Sequence, residues 1–269
     1  MLIDCHTHIF PDRIAASTVA HLSQVGNMPA HTDGTAEGLR RSMSDAGIDL
    51  AIVLPVVTKP SQFESINRFA AEINAQNDRL ISFGGIHPDN DDIEQKLDAI
   101  VALGLKGIKL HPDYQGVFID DERYLRILQG AVDRDLYVTI HAGIDIGLPD
   151  PVHASPDRVR AMLDIVKQPN GPHILLAHTG GYGCWDDVER LLVGQDVYFD
   201  LSFSFGRIDE EQLLRIIRDH GAERILFATD SPWDAQENDR VYFERLPLTA
   251  DERDAVAYKN ACRILGLSY

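Results

Sequence analysis

Short apolar runs alternate along the chain with longer segments whose apolar residues recur at helical spacing. Short runs bounded by turn residues predict buried strands, and the periodic segments between them predict amphipathic helices. The predicted strands cover residues 2–10, 50–57, 80–87, 105–111, 136–141, 173–178, 197–201 and 224–230.

Residues that favour helix ends stand at the edges of several periodic segments. Ser155, Asp209 and Thr249 are placed to begin helices, because their side chains can accept hydrogen bonds from the first free backbone N–H groups. Gly221 is placed to end one, since glycine adopts the left-handed conformation that terminates helices.

The strand–helix alternation repeats about eight times without a long Pro/Ser linker, which predicts a single α/β domain over residues 1–269 with a parallel sheet. A closed (β/α)₈ TIM barrel fits this count and a length near ~250 residues. An open doubly wound sheet is the alternative, although no G-x-G-x-x-G motif follows the first strand. The long connection 21–33 is expected to be a lid over the barrel mouth or an ordinary variable loop.

Polar side chains recur within the first and fifth predicted strands. Because residues two apart in a strand share a face, Asp4, His6 and His8 are expected to point the same way. In the fifth strand, Leu, Val and Ile suit the outer layer beneath the helices, which leaves Tyr137, Thr139 and His141 facing inward.

Other strands also end in polar residues. His178 closes the sixth and Asp230 the eighth, while Lys109 and His111 share a face at the end of the fourth. In a parallel barrel these ends meet at one mouth, where barrel enzymes keep their active sites. The sequence therefore predicts that these side chains converge.

Convergence of His6, His8, His141 and Asp230 would bring together three imidazole nitrogens and one carboxylate oxygen. This set suits Zn²⁺ at distances of about 2.0–2.2 Å and would also serve Mn²⁺ or Fe²⁺. Such an ion would lower the pKa of a coordinated water from 15.7 towards ~7. Taken singly, each residue also fits a structural role, as a hydrogen-bonded core histidine or a helix-initiating aspartate.

Composition restricts the partners of the protein. Hydrophobic residues make up 44% of the chain and charged residues 25%, as in ordinary globular proteins. The formal net charge of −17 disfavours nucleic acid and anionic membrane surfaces. The start of the chain lacks a signal-peptide pattern, so we expect a cytoplasmic protein. Cys5, Cys184 and Cys262 are too few and too separated for a disulfide framework or a cysteine zinc site.

Taken together, these motifs resemble the amidohydrolase superfamily, in particular its amidohydrolase-related ("amidohydrolase 2") branch. The matching stretches are "DCHTHIF", "GIKLHP", "TIHAG", "LLAHTGG", "ATDSPW" and the C-terminal "YKNACRILGL". The resemblance implies a distorted (β/α)₈ barrel with a divalent metal, usually zinc, bound by His6, His8, His141 and Asp230. It also implies that His178 polarises the substrate or steadies the bound water, and that Asp230 shuttles the proton.

The lysine of "GIKLHP" raises the question of a second metal ion. In some superfamily branches a carboxylated lysine at this place bridges two metals. The branch resembled here is usually mononuclear, so we expect one ion and an ordinary Lys109 ammonium that pairs with a substrate carboxylate. His111 is expected to contact the substrate or, alternatively, to cap its strand before Pro112.

Two reactions of a small molecule fit this site. The first is hydrolysis of an amide, lactone or ester by a metal-activated water; the second is non-oxidative decarboxylation of an aromatic or unsaturated acid. A catalytically silent metal-binding scaffold is the third alternative, and a homodimer is compatible with all three. A DNase is disfavoured by the acidic charge. Substrate choice would lie in loop residues such as Tyr114, Gln115, Tyr182, Trp185 and Trp233.

Overall fold

The computed structural model describes residues 1–268, in which strands and helices alternate. The strands are β1 (Ile3–Thr7), β2 (Leu50–Val53), β3 (Leu80–Ser82), β4 (Gly84–Gly85), β5 (Gly107–Leu110), β6 (Tyr137–Ile140), β7 (Ile174–Leu176), β8 (Tyr198–Asp200) and β9 (Ile225–Leu226). The helices are α1 (Asp12–Gly26), α2 (Ala36–Ala46), α3 (Phe63–Asn74), α4 (Ile93–Ala102), α5 (Pro112–Gln115), α6 (Glu122–Val132), α7 (Pro156–Ile165), α8 (Trp185–Leu191), α9 (Glu210–His220), α10 (Gln236–Arg245), α11 (Ala250–Asp254) and α12 (Asn260–Leu265).

The strands form a closed parallel barrel. β1 to β3 pair in one sheet and β4 to β9 in another, and only Phe83 separates β3 from β4, so these two form one interrupted barrel strand. The ring closes between the first and last strands, where Cys5 N donates to Phe227 O (2.9 Å) and Asp230 N donates to His6 O (2.8 Å). The predicted TIM barrel is thus confirmed, and the open-sheet alternative is wrong.

Two apolar layers hold the barrel. The larger lies between the strands and the surrounding helices and includes Val138 and Ile140, as predicted. The smaller fills the inside of the barrel, where Ile3 and Leu175 pack with residues of α12. The C-terminal helix therefore closes the end of the barrel opposite the strands' carboxyl ends. Among residues 1–268, no helix joins the length and the apolar character that crossing a bilayer requires.

The observed strands are shorter than the predicted ones, and β1 departs from strict alternation. Its register against β2 shifts between Asp4 and Thr7, as at a β-bulge. A bulge re-aims the side chains that follow it. The prediction that Asp4 shares a face with His6 and His8 is therefore wrong: the Asp4 carboxylate accepts hydrogen bonds from Thr229 Oγ1 (2.6 Å) and Gln236 Nε2 (2.7 Å) instead.

The segment 21–33 is only partly a loop. Its first six residues belong to α1, which ends at Gly26 with Asn27 in the left-handed conformation at the C-cap. The prediction of a loop over the whole segment is wrong for these residues, because Leu22 and Val25 continue the apolar face of α1. Their predicted position over the barrel mouth is confirmed, since both line the cavity there.

Most of the predicted helix ends are confirmed. Asp209 accepts from Gln212 N at the start of α9 (3.0 Å), and Gly221 ends that helix with φ +98°. Thr249 accepts from Glu252 N at the start of α11. Ser155 precedes α7 but does not cap it, because its hydroxyl donates to the Asp157 carboxylate (2.6 Å).

Candidate metal centre

Three of the predicted ligands meet at the carboxyl ends of the first and last strands. His6 lies in β1, His8 just beyond it, and Asp230 follows β9. Asp230 Oδ1 is 3.1 Å from His8 Nε2 and 3.3 Å from His6 Nε2. Two imidazoles and one carboxylate, with ligand atoms within 4.8 Å of one another, are a donor set that fits a divalent ion with positions left open.

The tautomers of both histidines suit ligation. His8 Nδ1 donates to Leu54 O (2.8 Å) and His6 Nδ1 donates to the Asp200 carboxylate (2.9 Å), so each Nε2 keeps its lone pair. Burial, together with the nearby Lys109 ammonium, lowers the pKa of His6 to about 3. Burial would raise the pKa of Asp230, but the surrounding histidines, His6 first, hold it at about 2. At neutral pH the centre therefore holds neutral imidazoles and an ionised carboxylate.

His141 lies next to these residues and contacts them through His178. His178 Nδ1 donates to Ser202 O (3.2 Å), so its Nε2 accepts from His141 Nδ1 (2.9 Å). His141 Nε2 is then left with a buried lone pair that has no hydrogen-bond partner; the nearest carboxylate oxygen, Asp113 Oδ2, is 3.9 Å away. An unpartnered imidazole lone pair beside the set of His6, His8 and Asp230 is what a fourth ligand would offer.

Lys109 also reaches this centre. Its side chain is fully buried on β5, and Nζ donates to His6 Nε2 (3.1 Å). Burial lowers the pKa of Lys109 to about 8, while the carboxylates of Asp200 and Asp230 act in the opposite direction. The lysine is thus positioned within the cluster, as the spacing in "GIKLHP" predicts.

His111 stands at the rim of the same cluster. It precedes α5 and caps this helix rather than the strand, since its Nδ1 accepts from Tyr114 N (3.4 Å). Its ring stacks between those of Tyr114 (3.9 Å) and His141 (4.1 Å), and its Nε2 is 3.4 Å from an Asp145 oxygen. Because His111 also lines the cavity, a substrate contact remains a prediction.

Asp200 is a site residue that the sequence reasoning missed. It ends β8 fully buried, and besides His6 Nδ1 it accepts from His178 N (3.0 Å) and Ser202 N (3.1 Å). Ser202 Oγ in turn lies 3.1 Å from His6 Nδ1 and 2.9 Å from His178 Nδ1. The signal was present, because "VYFDL" ends an apolar strand in a carboxylate as the Asp230 strand does.

A cavity of about 830 Å³ opens above these residues. Its floor holds the histidines, Lys109 and Asp230, and its walls are largely apolar side chains from α1, α3 and the loops that follow the strands. Of the loop residues expected from the sequence to determine substrate choice, Tyr114, Tyr182 and Trp233 line this cavity. Gln115 is structural, since its Nε2 donates to two backbone carbonyls, and Trp185 Nε1 donates to His178 O (3.1 Å).

Solved structures share this fold over nearly the whole chain. An uncharacterised TIM-barrel protein from Bordetella bronchiseptica superposes with a TM-score of 0.79 at 16% identity, covering 98% of both chains. A dihydroxybenzoic acid decarboxylase from Polaromonas sp. JS666, with manganese and 2-nitroresorcinol bound, gives 0.73 at 16% identity over 98% of this chain and 96% of that one. A 5-carboxyvanillate decarboxylase from Novosphingobium aromaticivorans, with manganese and a nitrobenzoic acid, gives 0.74 at 17% over 99% and 96%.

These identities show a shared fold and nothing finer. No protein of curated function matches the chain in sequence. The family model described as amidohydrolase matches residues 3–267, nearly the full length, and the buried histidine–aspartate cluster lies where the barrel strands end. The chain therefore belongs to the amidohydrolase family of metal-dependent TIM-barrel enzymes.

Proposed function

We propose that this protein is a metal-dependent decarboxylase of an aromatic or unsaturated carboxylic acid. The observation that carries the proposal is the contrast within one cavity, where a charged floor with the metal-ligand set and Lys109 lies beneath apolar walls. An acid would place its carboxylate or hydroxyl oxygen at the floor and its ring between the walls. Apolar surroundings favour loss of a carboxylate, because its charge spreads in the transition state.

We assign His6, His8 and Asp230 to the ion, with His141 as the fourth ligand through its unpartnered Nε2. The ion, zinc or manganese, would supply Lewis-acid charge to anionic oxygens of the substrate. Lys109 would add a second positive charge at the floor, and His111 would contact the substrate at the rim. A second metal through a carboxylated Lys109 is not part of this proposal.

Asp230 would move the proton. With a pKa of about 2 it is ionised in the free site, so it can take the proton of a substrate hydroxyl. As the bond between ring carbon and carboxylate breaks, CO₂ leaves, the electron pair stays on carbon, and Asp230 returns the proton there. His178 would act through His141: its Nδ1 donates to Ser202 O and its Nε2 accepts from His141 Nδ1 (2.9 Å), so it would orient the His141 ring towards the ion.

Solved structures with this fold support decarboxylation as the first candidate and hydrolysis as the second. A dihydroxybenzoic acid decarboxylase and a 5-carboxyvanillate decarboxylase share the fold, and both hold manganese. Hydrolysis of a lactone, amide or ester is the second candidate. It is favoured by one observation, the ionised Asp230 carboxylate beside the metal-ligand set, which can equally take a proton from an attacking water.

Isotope labels separate the two reactions. We expect protein loaded with Mn²⁺ or Zn²⁺ to release CO₂ from members of a hydroxybenzoate panel and, in D₂O, to place deuterium on the carbon that lost the carboxylate. Asp230→Asn should abolish this, whereas Asp234→Asn, a nearby aspartate paired with Arg207 (2.5 Å), should keep most of it. Incorporation of ¹⁸O from water into the products of a lactone and amide panel, without CO₂, would replace decarboxylation by hydrolysis.

A further inference from the structure

One face of α1 forms a wall of the cavity. Ile14, Thr18, Leu22 and Val25, spaced three or four apart, all line it. The helix follows β1 directly, so this wall stands above the ligand His8. The end of α1 also touches the loop after β6: a Cβ at Gly147 would come within 2.7 Å of Val25 Cγ1. The wall is therefore part of the substrate cavity and continuous with its rim.

Arg13 stands at the start of this wall. Among the cavity-lining residues in the described part of the chain, it and Lys109 are the two arginine or lysine side chains. Lys109 is buried at the floor against His6, whereas Arg13 is exposed at the rim. Within residues 1–268 the Arg13 guanidinium has no hydrogen bond or ion pair, while twelve other arginines, such as Arg134 and Arg158, contact carboxylates.

The charge of the whole molecule makes this position informative. With a net charge of −17, the surface repels anions, so an acid that enters the cavity needs local positive charge at the entrance. A guanidinium is always charged and binds a carboxylate through two parallel hydrogen bonds. An unpaired arginine at the mouth of a largely apolar wall is suited to that task.

The size and rim of the cavity limit what could reach from the floor to Arg13. A volume of about 830 Å³ lies in the upper part of the range of about 300–1,000 Å³ that holds drug-sized ligands. Four of its large apolar lining side chains remain well exposed, which extends the apolar surface to the opening: Ile14 (38%), Val25 (42%), Ile146 (37%) and Leu148 (43%). A substrate with a single small ring would leave much of this apolar surface exposed to water.

We propose that the substrate is an elongated dianion, with one acid group at the metal-bearing floor and a second anionic group at the far end of an apolar body. Arg13 binds that second group and determines specificity. The inference rests on the proposed function, because the floor is taken to hold the reacting carboxylate. It adds a recognition site that none of the metal ligands supplies.

Two inert probes that differ in one distal charge test the assignment. They are 4-hydroxy-3-nitrobiphenyl and its 4′-carboxylate, in which a nitro group replaces the carboxylate that would be lost. Calorimetric titration of manganese-loaded protein gives Kd for wild type, Arg13→Ala, Arg13→Lys and Arg126→Ala. Arg126 is the matched control, since it is exposed on α6, outside the cavity, and its loss changes the net charge equally.

We expect the carboxylated probe to bind wild type about tenfold more tightly than the uncharged one, as one charge-assisted contact would give. Arg13→Ala should remove most of that difference, Arg13→Lys should keep part of it, and Arg126→Ala should keep all. Any one of four results would overturn the proposal. Wild type binds both probes equally, Arg13→Ala weakens both probes equally, Arg126→Ala has the same effect as Arg13→Ala, or neither probe binds.

The proposed function is tested separately from the role of Arg13. CO₂ release from the corresponding carboxylic acids is measured on the same protein. If the probes show the Arg13-dependent preference and no acid loses CO₂, the anion site stands and decarboxylation is wrong. If both acids lose CO₂ and the probes bind alike, decarboxylation stands and the role of Arg13 is wrong.

Discussion

Single residues at the floor show how charge and protonation are arranged for a cation. Burial lowers the pKa of His6, His141 and His178, so these imidazoles are neutral and present lone pairs. Asp200 and Asp230 remain ionised although burial opposes this, because histidines surround them. Two carboxylates against one Lys109 ammonium leave a local negative charge that a divalent ion would balance.

Removal of His141 tests its assignment as a ligand. We expect His141→Ala to bind Mn²⁺ or Zn²⁺ at least about tenfold more weakly, because it removes a lone pair that has no other partner. His111→Ala, which deletes the ring stacked on it, should retain the ion. The measurement is metal content by elemental analysis after dialysis against a buffered chelator, with circular dichroism to check folding. Equal metal retention in the two variants would remove His141 from the ligand set.

Asp200 is expected to position His6 without touching the ion. Replacing a carboxylate that orients a ligating histidine typically costs about 10–100-fold in metal affinity. We therefore expect Asp200→Asn to weaken metal binding by this amount and to broaden the ¹⁵N signals of His6, whose tautomer it fixes. Asp135→Asn breaks a surface aspartate–histidine contact, to His173 Nε2 (2.8 Å), and should leave metal affinity unchanged. A loss as large in the control would contradict the positioning role.

At the scale of elements, buried hydrogen bonds connect the helices to the barrel strands. His220 ends α9 and stacks on Phe199 of β8 (3.9 Å). Its Nε2 donates to Val197 O (2.8 Å) and its Nδ1 accepts from Gly194 N (3.1 Å), so the neutral ring fills both bonds. Burial lowers its pKa to about 4.

This histidine should make the fold sensitive to acid. Between pH 6.5 and 4 the unfolded chain binds a proton at His220 that the folded chain does not, so stability falls as the pH falls. The contribution is about 1.4 kcal/mol per pH unit and about 3 kcal/mol in total. In urea titrations at pH 7.5 and 5, His220→Gln should lose less stability than wild type over that interval. Identical losses would show that His220 is not protonated on unfolding.

At the scale of the whole molecule, the residues proposed as ligands come from opposite ends of the chain. His6 and Asp230 are joined only because the last strand returns to the first, through bonds such as Asp230 N to His6 O. An ion bound there would therefore tie the barrel at the point where it closes. Since the unfolded chain has no such site, ion binding and folding are linked.

Metal removal should lower the melting temperature. At an ion concentration about 100-fold above Kd, binding stabilises by about 2.7 kcal/mol, which for a chain of this size corresponds to roughly 5–10 °C. The melting temperature should fall in EDTA and return to its original value on adding Mn²⁺ or Zn²⁺. The melting temperature of His8→Ala should respond to neither treatment. A melting temperature unaffected by either treatment would contradict an ion at the closure.

The sequence by itself determined the barrel and the nature of its floor. Strand–helix alternation and strand ends in His178 and Asp230 are local patterns, and a parallel barrel has only one place to bring such ends. Only the tertiary structure decided that a register shift after Asp4 separates its side chain from those of His6 and His8, and that Asp200 pairs with His6. It also decided that α1 places Arg13 at the rim. These depend on contacts between residues far apart in the chain, and on small shifts of register that periodicity cannot encode.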